Sequence, residues 1–340
     1  MSDRVLLTGV SGFLGGHVAL QLLAGGYLVR GSVRDLRRPD KVRQTLASAG
    51  ADVSRLEFVA LDLMSDQGWR EATQGVRYLQ HVASPFVTVM PADKMDLIRP
   101  AVEGTTRALE AAFAAQIERV VLTSSMAAIA YGHDTSRTAP FTGADWTNLS
   151  GRGVNAYIES KARAERVAWE IAERYGRKED LAVVNPSAIL GPLLDEDPGT
   201  SVALVQRLLN GSIPAAPNFA FAVVDVRDVA ALQVAAMTDP NAGGQRFPAG
   251  AGPYSLMQMA EMLRPAMPAY GRKLPKFQAP DWLVRIVGLF DKDVRGNLGE
   301  LGVVRRLDAS AATRLLGRPL IPAQDAVVES AKSLMAQGLL

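Results

Sequence analysis

Tyr157-Ile158-Glu159-Ser160-Lys161 sets a phenol and an ammonium four residues apart, a spacing that places both on one face of a helix. A phenol of pKa ~10 is a poor acid–base group at pH 7 unless a neighbouring cation stabilises its anion. The pair therefore suits a reaction that leaves an alkoxide needing a proton, as hydride delivery to a carbonyl does. Lys161 supplies the field and is also placed to hold a ribose hydroxyl. One more donor is needed to polarise the carbonyl oxygen, and Thr123-Ser124-Ser125 brings hydroxyls to the end of a predicted strand upstream. Register favours Ser125, with Ser124 second. Ser125, Tyr157 and Lys161 are thus the candidate catalytic residues.

A second group lies near the N-terminus, where Gly9-Val10-Ser11-Gly12-Phe13-Leu14-Gly15 follows a short apolar run and opens an amphipathic stretch. Gly9 permits a tight turn, Gly12 lets backbone approach a pyrophosphate, Gly15 lets the helix pack on the sheet, and the helix N-terminus offers free N–H groups to the anion. Phe13 and Leu14 complete the candidate loop. The spacing is GxxGxxG rather than GxGxxG. Which dinucleotide it holds is decided at Gly31-Ser32-Val33-Arg34-Asp35. Val33 fills the slot where NAD binders carry an acid, Arg34 is free to stack on adenine or pair with a 2′-phosphate, and Lys41 is a second cation. This favours NADP(H); the competing reading has Asp35 taking the ribose. Asp62-Leu63 suits the adenine pocket, and Val82-Ala83-Ser84 offers small residues beside a flat cofactor.

The elements that must position these groups alternate in the first half. Strands are predicted at Arg4–Thr8, Leu28–Val33, Leu56–Ala60, Val76–Val82, Arg119–Ser124 and Leu181–Asn185, most of them near-continuous apolar runs as strands covered on both faces should be. Helices are predicted at Gly15–Ala24, Pro39–Ala49, Asp66–Thr73, Ile98–Ala115 and Val154–Tyr175, with a later one near Val226–Met237. The expected fold is α/β, a doubly wound parallel sheet with a smaller, mostly helical C-terminal substrate-binding domain. Residues 1–185 are expected to hold the cofactor, with a returning segment near 222–240, and 186–340 mainly the substrate.

Composition narrows the chemistry. The chain has 340 residues and no cysteine, so thiolate nucleophiles, disulfides and iron–sulfur clusters are excluded. A net charge of +2 lacks the positive field that nucleic acids require. No apolar stretch approaches the ~20 residues that span a bilayer, and Val5-Leu6-Leu7 is too short for a signal peptide, so a cytoplasmic protein without a membrane partner is expected. His17, His81 and His133 show no metal-ligand spacing.

In order, the motifs TGVSGFLG at Thr8–Gly15, VRGSVRD at Val29–Asp35, HVASPF at His81–Phe86, VEGT at Val102–Thr105, TSS at Thr123–Ser125, YIESK at Tyr157–Lys161, NPSAILGP at Asn185–Pro192 and VDVRDVA at Val224–Ala230 run along almost the whole chain. The sequence resembles the extended short-chain dehydrogenase/reductases, in the branch of dihydroflavonol reductases, cinnamoyl-CoA reductases and microbial aldehyde and ketone reductases. That resemblance implies NADPH held by Arg34, Lys41, Asp62, Leu63, Val82, Ala83, Ser84, Tyr157 and Lys161, by backbone near Pro186, and by Ser201. Leu232 departs from the histidine of many relatives, and the long plant-type loops that read flavonoid hydroxyls are not evident.

The expected partner is a small carbonyl compound in an apolar pocket walled by Phe86, Met90, Met126, Phe141, Leu193 and Phe219; Val87 and Ile129 are read as core. Between Arg264 and Arg306 basic residues exceed acidic ones, which fits either a solvated helical surface or a phosphate-bearing tail. The protein is expected as a monomer or a homodimer. A nucleotide-sugar epimerase or dehydratase using NAD, and a catalytically silent NADP(H) sensor, are the competing functions.

Overall fold

Strands such as Val-Leu-Leu and Val-Val-Leu are apolar on both faces, so each is stable only with helices on either side. The computed structural model describes residues 3–36, 39–85, 93–290 and 292–340. Its first half runs β1 (Arg4–Thr8), α1 (Phe13–Ala24), β2 (Leu28–Val33), α2 (Pro39–Ser48), β3 (Leu56–Ala60), α3 (Trp69–Thr73), β4 (Tyr78–His81), α4 (Met95–Ala114), β5 (Arg119–Thr123), α5 (Ala156–Arg174) and β6 (Leu181–Pro186). The second half continues β7 (Ala188–Leu190), α6 (Gly199–Leu209), β8 (Ala220–Asp225), α7 (Val226–Thr238), β9 (Arg246–Ala249), β10 (Ala251–Ser255), α8 (Leu256–Ala266), α9 (Asp281–Val287), α10 (Lys292–Asn297), α11 (Ser310–Leu316) and α12 (Ala323–Ala336).

The main sheet has the order β3-β2-β1-β4-β5-β6-β9 and is parallel throughout. The chain reverses its winding between β1 and β4, and open α/β sheets bind ligands at that crevice, outside the carboxyl ends of the strands. One core cluster joins α1 and α7 to one face of the sheet; a second joins α4 and α5 to the other. Alanines 162, 164, 168 and 172 form much of the buried face of α5, letting that helix lie close against its neighbours.

The six expected strands are present, with β4 shorter than its apolar run at both ends. The seventh, β9, was not foreseen. Its sequence Arg-Phe-Pro-Ala breaks the apolar pattern, and Pro248 is tolerated because the strand lies at the sheet edge. The helical second half also contains a small sheet, β10-β8-β7, over a third core cluster built from α6, α8 and α12.

Candidate active site

The glycine loop sits at the winding reversal. Gly9 adopts a φ of +73°, and a Cβ there would stand 2.9 Å from the Ala83 Cα. A Cβ on Gly15 would lie 1.9 Å from the Gly9 carbonyl oxygen, so glycine is required at both positions. The Gly12 N–H donates to the Gly9 carbonyl at 3.0 Å. Gly12 also caps α1 without any side-chain hydrogen bond, which leaves first-turn amides to an incoming anion. Leu14 is buried in the core, so only its backbone is available there. Phe13 is half-buried and meets His17 edge-on at 5.7 Å.

At the far end of β2, Val33 is buried and Arg34 is exposed, as is Lys41 in the first turn of α2. Two neighbouring cations are already engaged: Arg30 pairs with Glu57 at 2.6 Å, and Arg43 donates to the carbonyls of Val53 and Leu56. Among the described residues, no carboxylate pairs with Arg34 or Lys41. Exposed Asp62 accepts from the Met64 N–H, and Leu63 packs so closely on Gly104 that a Cβ there would clash at 2.8 Å.

The chemistry converges on α5. Asn155 caps this helix by accepting from the Ile158 N–H at 3.0 Å, and Tyr157 stands in its first turn. Lys161 donates to the Ser84 hydroxyl at 2.8 Å, and its Nζ lies 5.9 Å from the centre of the Tyr157 ring. Burial lowers the Lys161 pKa to about 8. Tyr157 is 37% exposed, yet its surroundings desolvate the phenol enough to raise its pKa, an effect that the nearby Ser125 hydroxyl opposes. Ser125 itself is buried and accepts from the Ala127 N–H at 3.1 Å. Ser124 is spent elsewhere, its hydroxyl donating to Glu165 Oε2 at 2.5 Å.

Beneath Lys161 lies His81. The Thr8 hydroxyl accepts from the Val82 and Ala83 N–H groups, so its own hydrogen goes to His81 Nδ1 at 2.9 Å. Burial, then the charge of Lys161, brings the His81 pKa down to about 4, and the ring is neutral at pH 7. Thr8 thereby fixes the Val82-Ala83-Ser84 segment that faces the loop.

The substrate-side residues scatter. Met126 and Phe219 are half-buried. Phe141 belongs to a small core with Ile129 and Ala130 and carries the Arg137 guanidinium 4.0 Å above its ring; Leu193 is buried in the core of the second half. Phe86, Val87 and Met90 lie outside the described residues. Pro186 ends β6, buried, and Ser201 is half-buried in the first turn of α6. The segment leading to α6 crosses α1: His17 Nε2 meets the Pro192 carbonyl at 2.9 Å, and Leu194 touches Gly16. His133 Nε2 pairs with the Ile129 carbonyl. Of the basic residues between 264 and 306, Arg264 and Arg295 are tied to nearby carbonyls and Arg305 to Glu300. Phe277, Trp282 and Phe290 are exposed in the same stretch.

Residue-type reasoning overlooked Glu165 and Arg246, a buried ion pair beside the serines. Glu165 had a signal, since it continues the Tyr157 and Lys161 face of α5 within a run of alanines. Arg246, distant in sequence, had none.

The NAD dependent epimerase/dehydratase family matches residues 5–250. Tetraketide alpha-pyrone reductase 2 of Arabidopsis thaliana is 34% identical over 79% of this chain and 84% of its own length, and the cinnamoyl-CoA reductase CAD2 of Medicago truncatula is 34% identical over 72% and 75%. In fold, the chain is similar to yeast methylglyoxal/isovaleraldehyde reductase, solved with NADPH, at a TM-score of 0.80, 24% identity and coverage of 99% of this chain and 100% of that one. Glycine loop, winding reversal and YxxxK face thus occur together in a chain that belongs to the NAD dependent epimerase/dehydratase family, the extended short-chain dehydrogenase/reductases.

Proposed function

We propose that the protein is an NADPH-dependent carbonyl reductase acting on an aldehyde or ketone, with residues 1–185 mainly holding the cofactor and 186–340 mainly the substrate. The observation that carries this reading is the convergence of Lys161, Tyr157 and Ser125 on one cleft edge beside the glycine loop. The loop's fit to a dinucleotide rests on Gly9 and Gly15, whose missing side chains let the loop close tightly on Ala83 and on the start of α1, and on the uncapped start of that helix. Gly9, Gly12 and Gly15 with the amides of Phe13 and Leu14 would hold the pyrophosphate, Arg34 and Lys41 the 2′-phosphate, and Lys161 the nicotinamide ribose; the bound cofactor supplies hydride.

The protein's part is proton management. Ser125 donates to the carbonyl oxygen, polarising it. Tyr157 gives its phenolic proton to the oxygen as negative charge develops there. Lys161, held by Ser84, stabilises the phenolate that remains. The names of the relatives support a reductase of this type.

A spectrophotometric screen of aldehydes, ketones and acyl-CoA thioesters tests the proposal. NADPH oxidation with at least one carbonyl class, and slower turnover with NADH, is the expected result. Purified protein carrying tightly bound NAD and consuming no NADPH would instead favour an epimerase or dehydratase.

A further inference from the structure

Two turns beyond Tyr157 and one beyond Lys161, the same face of α5 carries Glu165, which is completely buried. A buried carboxylate survives only when its oxygens are paired and hydrogen-bonded. Here Oε2 accepts from Ser124 Oγ at 2.5 Å and from Asn185 Nδ2 at 2.6 Å. Oε1 receives the Arg246 Nε–H and, at 3.4 Å, the Trp169 indole N–H. Asn185 leads back to the serine segment, and Arg246 ties in the chain around it. Asn185 Nδ2 also donates to the Ser125 carbonyl at 3.3 Å. Arg246 reaches the carbonyls of Gly143, Asp145 and Ala128, and its guanidinium sits 3.8 Å from the centre of the Trp146 ring.

We propose that Glu165, with Arg246 as counter-ion, is a positioning residue: it locks α5 in register against the ends of β5 and β6 so that the Ser125 hydroxyl meets Tyr157. Helix α5 has small residues along its buried face, which define its depth in the fold but not its rotation or slide. The carboxylate supplies that, because one side chain holds Ser124 at the end of β5, Asn185 in β6 and Arg246 in β9 simultaneously. The inference rests on the carbonyl-reductase reading for its consequence in turnover, but the geometry it predicts at Tyr157 is measurable without substrate.

The test compares Glu165→Gln, which removes the charge, with Ser124→Ala, which deletes one uncharged arm and keeps the protein foldable. Tyrosines labelled at Cζ are titrated by NMR, Tyr157→Phe assigning the resonance. The Tyr157 midpoint is expected to rise in both variants as Ser125 drifts from the phenol. With any carbonyl that the wild type reduces, kcat falls about 10- to 100-fold in Glu165→Gln and several-fold in Ser124→Ala, as sub-ångström misplacement allows, while NADPH affinity stays within about threefold. An unmoved Tyr157 midpoint in folded Ser124→Ala overturns the proposal. So does a Glu165→Gln protein whose melting temperature drops while kcat and the Tyr157 midpoint hold. If Tyr157→Phe keeps wild-type turnover, the catalytic reading fails instead, separately from the positioning role.

Discussion

On the α5 side of the cleft, Lys161 is packed against Ser84 with its pKa lowered to about 8, over a neutral, buried His81. On the β2 side, Arg34 and Lys41 stand in solvent without a described carboxylate partner. Both regions present cations at the same sheet edge, but they work under different dielectric conditions. Proton transfer needs shifted pKa values, which require desolvation and hence a surrounding of satisfied partners. Phosphate recognition needs only reachable charge, which solvent screens and substitution removes cheaply. Substitutions should therefore cost far more at the α5 end than at the β2 end.

The strongest challenge to this difference is Tyr157→Phe. Loss of the proton donor should lower kcat by about 10³-fold, roughly 4 kcal/mol, with NADPH affinity, followed by fluorescence, little changed. Turnover surviving intact would dissolve the distinction.

Next comes stability in acid. His81 has a folded pKa of about 4 against 6.5 in the unfolded chain, so between those values the unfolded state binds the proton that the native state refuses. Stability should fall as pH drops from about 6.5 to about 4, by roughly 3 kcal/mol from this group. A His81→Gln variant should show a flatter melting profile over that window; an unchanged slope would assign the acid sensitivity to other groups.

Lys161 gives a smaller effect in activity. In the proposed mechanism its charged form supports Tyr157, and that form is lost as pH rises through about 8. In carbonyl reduction kcat/KM should decline above that pH, and Lys161→Met should abolish the limb while costing about 10²-fold at pH 7. Persistence of the limb in Lys161→Met would assign it to another group.

The smallest effect belongs to the β2 end, where Arg34→Ala should weaken NADPH about tenfold and NADH hardly at all, as expected for one charge-assisted phosphate contact. Equal losses for both cofactors, measured by titration, would make Arg34 an adenine platform rather than a phosphate reader.

Much of the scaffold was legible because its signals are local. Apolar runs announced β1 to β3, β5 and β6 almost to the residue, and Gly9 followed from what a tight turn requires, whereas Gly15 is needed because a Cβ there would strike the Gly9 carbonyl of the loop. The YxxxK pair was visible because helical geometry converts spacing directly into a face. What stayed hidden depends on distant partners. Arg-Phe-Pro-Ala becomes β9 only because β6 offers an edge and Glu165 a counter-charge, and glutamate in a helix normally signals solvent rather than a buried hub. Phe141 looked like a pocket wall by adjacency, but its pairing with the segment around Leu307 turns it into core. Exposed apolar residues such as Trp282 carry no local mark of their surroundings either.

The Glu165–Arg246 pair also bears on how the chain is made. The two residues are separated by 81 positions, so during synthesis at about 5–20 residues per second the helix bearing Glu165 leaves the ribosome several seconds before its counter-ion. Through that interval a docked α5 would bury an uncompensated carboxylate, which is strongly unfavourable. The nascent first half is therefore expected to wait in a loosened form, with the sheet closing over α5 only when β9 emerges.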